Sequence, residues 1–118
     1  MTVLLGGAPS NFASLLSNVP GITLLKSSKQ KVDCVIWFVR NEAEVQAVSL
    51  TVLSAVSEDG LLWFAYPKKS SGVKSDLSRD VGWEPVFTAG FDSVAQISID
   101  ETWTGFRFRA KHLVGKRR

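Results

Sequence analysis

Three clusters of residues could do chemistry. The first is Lys68-Lys69-Ser70-Ser71-Gly72, directly after an apolar run closed by Pro67. Two ammonium groups, two hydroxyls and loop N–H groups suit a phosphate or carboxylate. A helix starting near Ser75 would aim its positive dipole end at the same place. The spacing is not the Gly-x-x-x-x-Gly-Lys-Ser/Thr of a P-loop. The second cluster is Gly6-Gly7, where a ligand could approach bare backbone or where the chain simply needs a strand-to-helix turn. The third is Asp100-Glu101 with Trp103. Adjacent carboxylates diverge and make no acid–base pair. They could hold a ligand or bridge to Arg40, Lys68 or Lys69, and the indole could stack on a flat ligand or pack at a sheet edge. No nucleophile–base set accompanies these clusters. His112, the single histidine, lies near the C-terminus, and one His cannot build a His-rich metal site. The sequence therefore predicts no catalytic residue, no metal and no cofactor.

These loops need a frame to hold them. The chain has 118 residues, 45% hydrophobic and 21% charged, enough for one domain with a real core and too ordered in composition for a disordered chain. No apolar run approaches the ~20 residues that span a bilayer. No export signal opens the chain, and a single cysteine excludes a disulfide framework, so the cytoplasm is the expected location. The formal charge is +3, but Lys111, Lys116, Arg117 and Arg118 crowd the last eight residues. The expected division is one domain over residues 1–109 and a basic, flexible tail over 110–118. A folded part near neutral weighs against a nucleic-acid surface, which wants a basic face with interleaved aromatics.

Val3 to Leu5 reads as a strand, Asn11 to Leu16 as a short helix and Ile22 to Leu25 as a second strand. Val32 to Val39 is apolar without alternation from Cys34 on, the habit of a strand buried on both faces. Cys34 within it reads as an inert core thiol. Asn41-Glu42-Ala43-Glu44 is a capping box that starts a helix running to about Glu58, with Val45, Val48, Val52 and Val56 on one stripe. Leu61 to Tyr66 is another strand apolar on both sides. A helix near Ser75 carries Leu77 and Val81, and Gly82 and Pro85 break or kink it. Ser93 to Ile99 and Thr102 to Arg109 alternate as a terminal hairpin.

This order predicts an α/β Rossmann-like mixed sheet with parallel central strands, crossover helices and a C-terminal antiparallel hairpin, strand order 2-1-3-4-6-5. The link from Leu25 to Val32 is short for a parallel crossover. It must cross the sheet extended, or the second strand is antiparallel or absent. Ligands of such sheets bind beyond the strands' carboxyl ends, where strand order reverses. That edge carries Gly6-Gly7, Arg40-Asn41, Lys68 to Gly72 and Asp100-Glu101. Right-handed crossovers put the first helix on one face and the later helices on the other. One face, expected to hold Trp37 and Trp63, then has only a two-turn helix over it. An under-covered apolar face predicts a homodimer or another protein partner.

The run D-C-V-I-W-F-V, the helix after it, G-L-L-W-F-A-Y-P, and the terminal hairpin resemble the Rossmann-like core of class I methyltransferases over roughly residues 32–109. Tyr66 to Gly72, Ser75-Asp76-Leu77 and Asp100 to Phe108 are similar to an uncharacterised bacterial family of short proteins. The resemblance implies a methyltransferase-like fold. It also shows departures. Those enzymes carry an acid and spaced glycines after the first strand, where this chain has Gly6-Gly7-Ala8-Pro9. They carry an acid after the second strand, where this chain has Lys26. A strand and two helices of their core have no room in Lys26–Lys31. The expected function is therefore a non-catalytic interaction or ligand-binding module, self-associating through the thin face. The alternative is an anion- or nucleotide-binding, residual transferase domain using the carboxyl-edge loops.

Overall fold

The central strands are the ones whose residues are apolar on both sides. In the computed structural model, which describes residues 1–27 and 30–114, β3 (Val32–Phe38) and β4 (Val56–Pro67) lie side by side and parallel. β1 (Thr2–Gly6) runs parallel to β3, and β2 (Thr23–Leu25) parallel to β1. Beyond β4, β6 (Trp103–Ala110) and β5 (Phe91–Ser98) are antiparallel, giving one six-stranded sheet in the order β2-β1-β3-β4-β6-β5. This is the order expected from the sequence. The short link from β2 to β3 does cross over β1. It must travel about 10 Å across two strand spacings and about 10 Å back along the strands. Seven Cα steps reach at least ~23 Å when extended, so no crossover helix is needed. Lys31 at its end donates from Nζ to the carbonyl of Ser54 (3.0 Å), which places that end beside the helix before β4.

That helix, α2 (Glu42–Ala55), starts where the sequence says. Asn41 Oδ1 accepts the N–H of Glu44 (2.9 Å). Glu44 reaches back one residue further than a capping box predicts, accepting from the N–H of Arg40 (3.3 Å). α2 stops at Ala55 and not near Glu58, because Val56 is taken into β4 opposite Val32. Asp59-Gly60 is likewise not a turn between elements but an excursion inside β4. The register steps from Val32↔Val56 to Cys34↔Leu61, and Asp59 takes the left-handed region at φ 53°. The β-branched residues of α2 make it a poor helix alone. Burial of Val45 and Val52 against the sheet holds it.

No helix forms near Ser75. Residues 72–83 are a loop in which Ser75 and Ser78 hydroxyls accept the N–H groups of Leu77 and Asp80. Ser and Asp offer the backbone these local bonds in place of helical ones, and Gly82 sits at φ +101°. Pro85, read as a breaker, opens the short helix α3 (Glu84–Thr88), where its missing N–H costs nothing.

α2 and α3 cover one face, and α1 (Ser10–Ser17) the other. The first face holds the larger core. Trp83, fully buried, packs its ring 5.4–5.5 Å from those of Phe64, Tyr66, Phe106 and Phe108. The second core is small: Leu5, Phe38, Ala65 and Trp103 under Phe12, Ala13 and Leu16. Trp37 and Trp63 do not share the thin face. Trp37 is paired with Phe64 and faces α2, whereas Trp63 is paired with Ile36 on the α1 side. Adjacent strand residues point to opposite faces, so one residue of register decides this. The segment after β6 begins with a helical turn over Lys111–Leu113. Lys116, Arg117 and Arg118 of the expected tail lie outside the described residues, and no helix among those described is long and apolar enough to cross a membrane.

Candidate functional site

The loops named by the sequence share the carboxyl edge of the parallel strands but line different depressions. Gly6 and Gly7 floor a groove of about 390 Å³ at the point where strand order reverses. Lys26 stands at its margin and Trp37 forms a wall. A Cβ on Gly6 would lie 2.4 Å from Cδ2 and Cε2 of Trp37, so the indole lies directly on this glycine. Gly7 is needed twice over, by φ +66° and by the Phe38 carbonyl 2.6 Å from where its Cβ would be.

Beside this groove Arg40 ties three elements together. Its Nη2 donates to the Gly7 carbonyl (3.3 Å), its Nη1 is 3.7 Å from Glu44 Oε1, and its guanidinium carbon is 5.5 Å from the Trp103 ring centre. Trp103 is buried, edge-on to Phe38 at 4.9 Å, so it packs under the arginine. Asp100 Oδ1 accepts the N–H groups of Thr102 and Trp103 (2.8 Å each), closing the β5–β6 turn. Glu101 next to it is exposed. The sequence puts Arg40 on this edge and offers it as a salt-bridge partner for these acids, not as a tie to Gly7 and Trp103. Its place as the first charged residue after the central strand was the available signal.

Lys68, Lys69 and Ser70 border a second, open groove of about 460 Å³ together with Arg79. The Lys68 ammonium donates to Ser98 Oγ and its N–H to the Thr102 carbonyl (2.7 Å). Ser71 turns its hydroxyl back to the Lys68 carbonyl (2.6 Å). Arg79 reaches this groove from the loop over residues 72–83, where the sequence predicts a helix.

The α1 face carries a different feature. α1 covers its carboxyl half and leaves a strip in which Ile36, Trp63 and Arg107 are neighbours across the sheet, all partly exposed. The Arg107 Nε is buried there with no hydrogen-bond partner. Arg109, on the same face, is satisfied: it meets both carboxylate oxygens of Asp59 (2.7 and 2.9 Å), and these bonds raise its pKa further. Cys34 lies under this strip. Burial, and then the charge of Asp33, push its thiol up to about 11, so it stays a thiol at neutral pH. Among the described residues no group of three His, Cys, Asp or Glu could hold a metal ion.

The strand order, the parallel core and the terminal antiparallel pair define a methyltransferase-like α/β fold. The chain is similar to the ribosomal protein L11 methylase of Lactobacillus delbrueckii subsp. bulgaricus (TM-score 0.61, 16% identity, 94% of this chain and 70% of that one). It is also similar to the fibrillarin pre-rRNA processing protein of Methanococcus jannaschii (TM-score 0.52, 15% identity, 92% of this chain and 55% of that one). At such identities the likeness is one of fold. The chain belongs to the family described as Protein of unknown function (DUF3052), whose pattern matches residues 10–112. No curated protein matches it.

Proposed function

We propose that this chain is a non-catalytic protein-interaction module built on a methyltransferase-like fold, working in the cytoplasm. It binds through the strip around Ile36, Trp63 and Arg107. The observation that carries this reading is the Arg107 guanidinium. It lies among apolar side chains on the open half of a sheet face, with a buried N–H unsatisfied. A buried donor without a partner costs on the order of 1–3 kcal/mol. A partner presenting a carboxylate beside an apolar side chain would remove that cost and cover Trp63.

The residues at the carboxyl edge do not fit S-adenosylmethionine, the cofactor the fold suggests. The Trp37 indole covers Gly6, Gly6-Gly7 brings no acid, and Lys26 stands where an acid would hold ribose hydroxyls. Arg40 and Asp100 are engaged with backbone, and among the described residues the groove is lined by one ionisable group, Lys26, and by no acid. A second reading rests on the other groove, where Lys68, Lys69 and Arg79 surround one depression suited to an anionic small molecule.

A thermal-shift panel separates the two. Phosphate, ATP, NAD(P), S-adenosylmethionine and acidic metabolites should all leave the melting temperature unchanged on the first reading. A ligand at 100 times its Kd would stabilise the fold by ~2.7 kcal/mol. A saturable shift abolished by Lys68→Ala/Lys69→Ala establishes the anion site. A saturable shift with S-adenosylmethionine overturns the non-catalytic reading.

A further inference from the structure

We infer that two copies of this chain associate edge to edge through β5, forming one continuous twelve-stranded sheet. The inference goes beyond the strip around Trp63 and stands if that strip has no partner. The two edges of the sheet differ. β2 is three residues long, too short to template another strand, whereas β5 has eight residues and, among the described residues, no strand on its outer side. From Ser93 to Ile99 it has no charge and no proline, and Val94 and Ile97 are 37% and 50% exposed. Proteins normally blunt such an edge with charges, proline or brevity. The devices present, the charge of Asp92 and the irregularity between Ser93 and Ala95, both lie in the first half of β5.

The regular part of β5 runs from Ala95 to Ser98, and Ile99 continues it with its N–H donated to the Trp103 carbonyl (3.0 Å), which puts Ile97 in the middle. An antiparallel pair about a two-fold axis through Ile97 is self-complementary. It sets Ile97 against Ile97 of the second copy and Ala95 against Ile99, all on the α1 face. It sets Gln96 against Ser98 on the opposite face, beside the Lys68 ammonium. Centring the axis on Gln96 would instead bring Asp92 opposite Asp100, and like charges directly opposite are unfavourable. Charge therefore favours the Ile97 register over the Gln96 one. A second copy fits better than a foreign strand, since one uncharged strand supplies both halves of a pair without like charges. One strand pair lies at the small end of specific interfaces, so micromolar dissociation is expected.

Light scattering over a micromolar to sub-millimolar series should show the mass rising from 12.9 kDa to twice that value. Ile97→Lys should stay monomeric, with the melting temperature that the wild type has at concentrations where it is a monomer. Leu61→Lys, on the α1 face but away from the edge, should still dimerise. Ile97→Cys should form a covalent dimer on mild oxidation, since facing Cα atoms of such a pair lie ~4.5–5.5 Å apart. A wild-type chain monomeric throughout overturns the inference. So does an Ile97→Lys chain that still dimerises. A dimer lost in Leu61→Lys overturns it too, because association would then use the sheet face.

Discussion

Gly6→Ala should destabilise the protein, and Trp37→Ala should cancel the effect. Gly6 has no positive φ, so its backbone accepts alanine, and a strand alanine is worth ~0.5–1 kcal/mol over glycine. In the native fold the added methyl would sit 2.4 Å from the Trp37 ring, well inside contact distance. The ring must move off Gly6. Overpacking of this kind costs ~1–3 kcal/mol. Set against the strand gain, Gly6→Ala alone should cost up to ~2 kcal/mol, or several degrees of melting temperature for a domain of this size. With Trp37 cut to alanine the methyl has room, and the same change should be neutral or slightly stabilising. The coupling energy of the double-mutant cycle should be ~1–3 kcal/mol. Denaturant unfolding of the four proteins measures it. A coupling below ~0.5 kcal/mol would mean that the indole moves aside freely. The argument that the indole closes off Gly6, and with it that part of the case against a cofactor there, would then fail.

Two further outcomes follow from the same structure. Asn41→Ala removes the oxygen that accepts the Glu44 N–H and should cost ~1 kcal/mol in urea unfolding, whereas Asn41→Ser should restore most of it. Cys34 should react with a thiol reagent only on unfolding at pH 7. Its folded pKa of about 11 exceeds the ordinary 9.0, so above pH 9 the unfolded thiol ionises first. Stability should be level on this account up to pH 9 and fall between pH 9 and 11, and Cys34→Ala should remove that part of the decline.

The sequence by itself determined the sheet. Runs such as Cys34 to Val39 and Leu61 to Tyr66 belong in the middle of a sheet, and the alternating Ser93–Ile99 and Thr102–Arg109 make a hairpin on one side of it, with Ser93–Ile99 outermost. From these the strand order followed, with α1 and the later helices on opposite faces. Tertiary structure decided what local pattern leaves degenerate. Trp37 and Trp63 look alike in their runs, yet pairing sends one to α2 and over Gly6, the other to the open strip. Leu77 and Val81 have helical spacing, but Ser75 and Ser78 bind backbone locally, and Trp83 rather than a helix anchors the loop, donating from Nε1 to the Ser78 carbonyl (2.7 Å). Arg40 and Arg107 are single charges in sequence. Only packing makes one a tie between Gly7 and Trp103 and leaves the other's Nε buried without an acceptor. Burial on two faces is written in a strand's own residues, but which groups meet across the sheet depends on register and on chain far away in sequence.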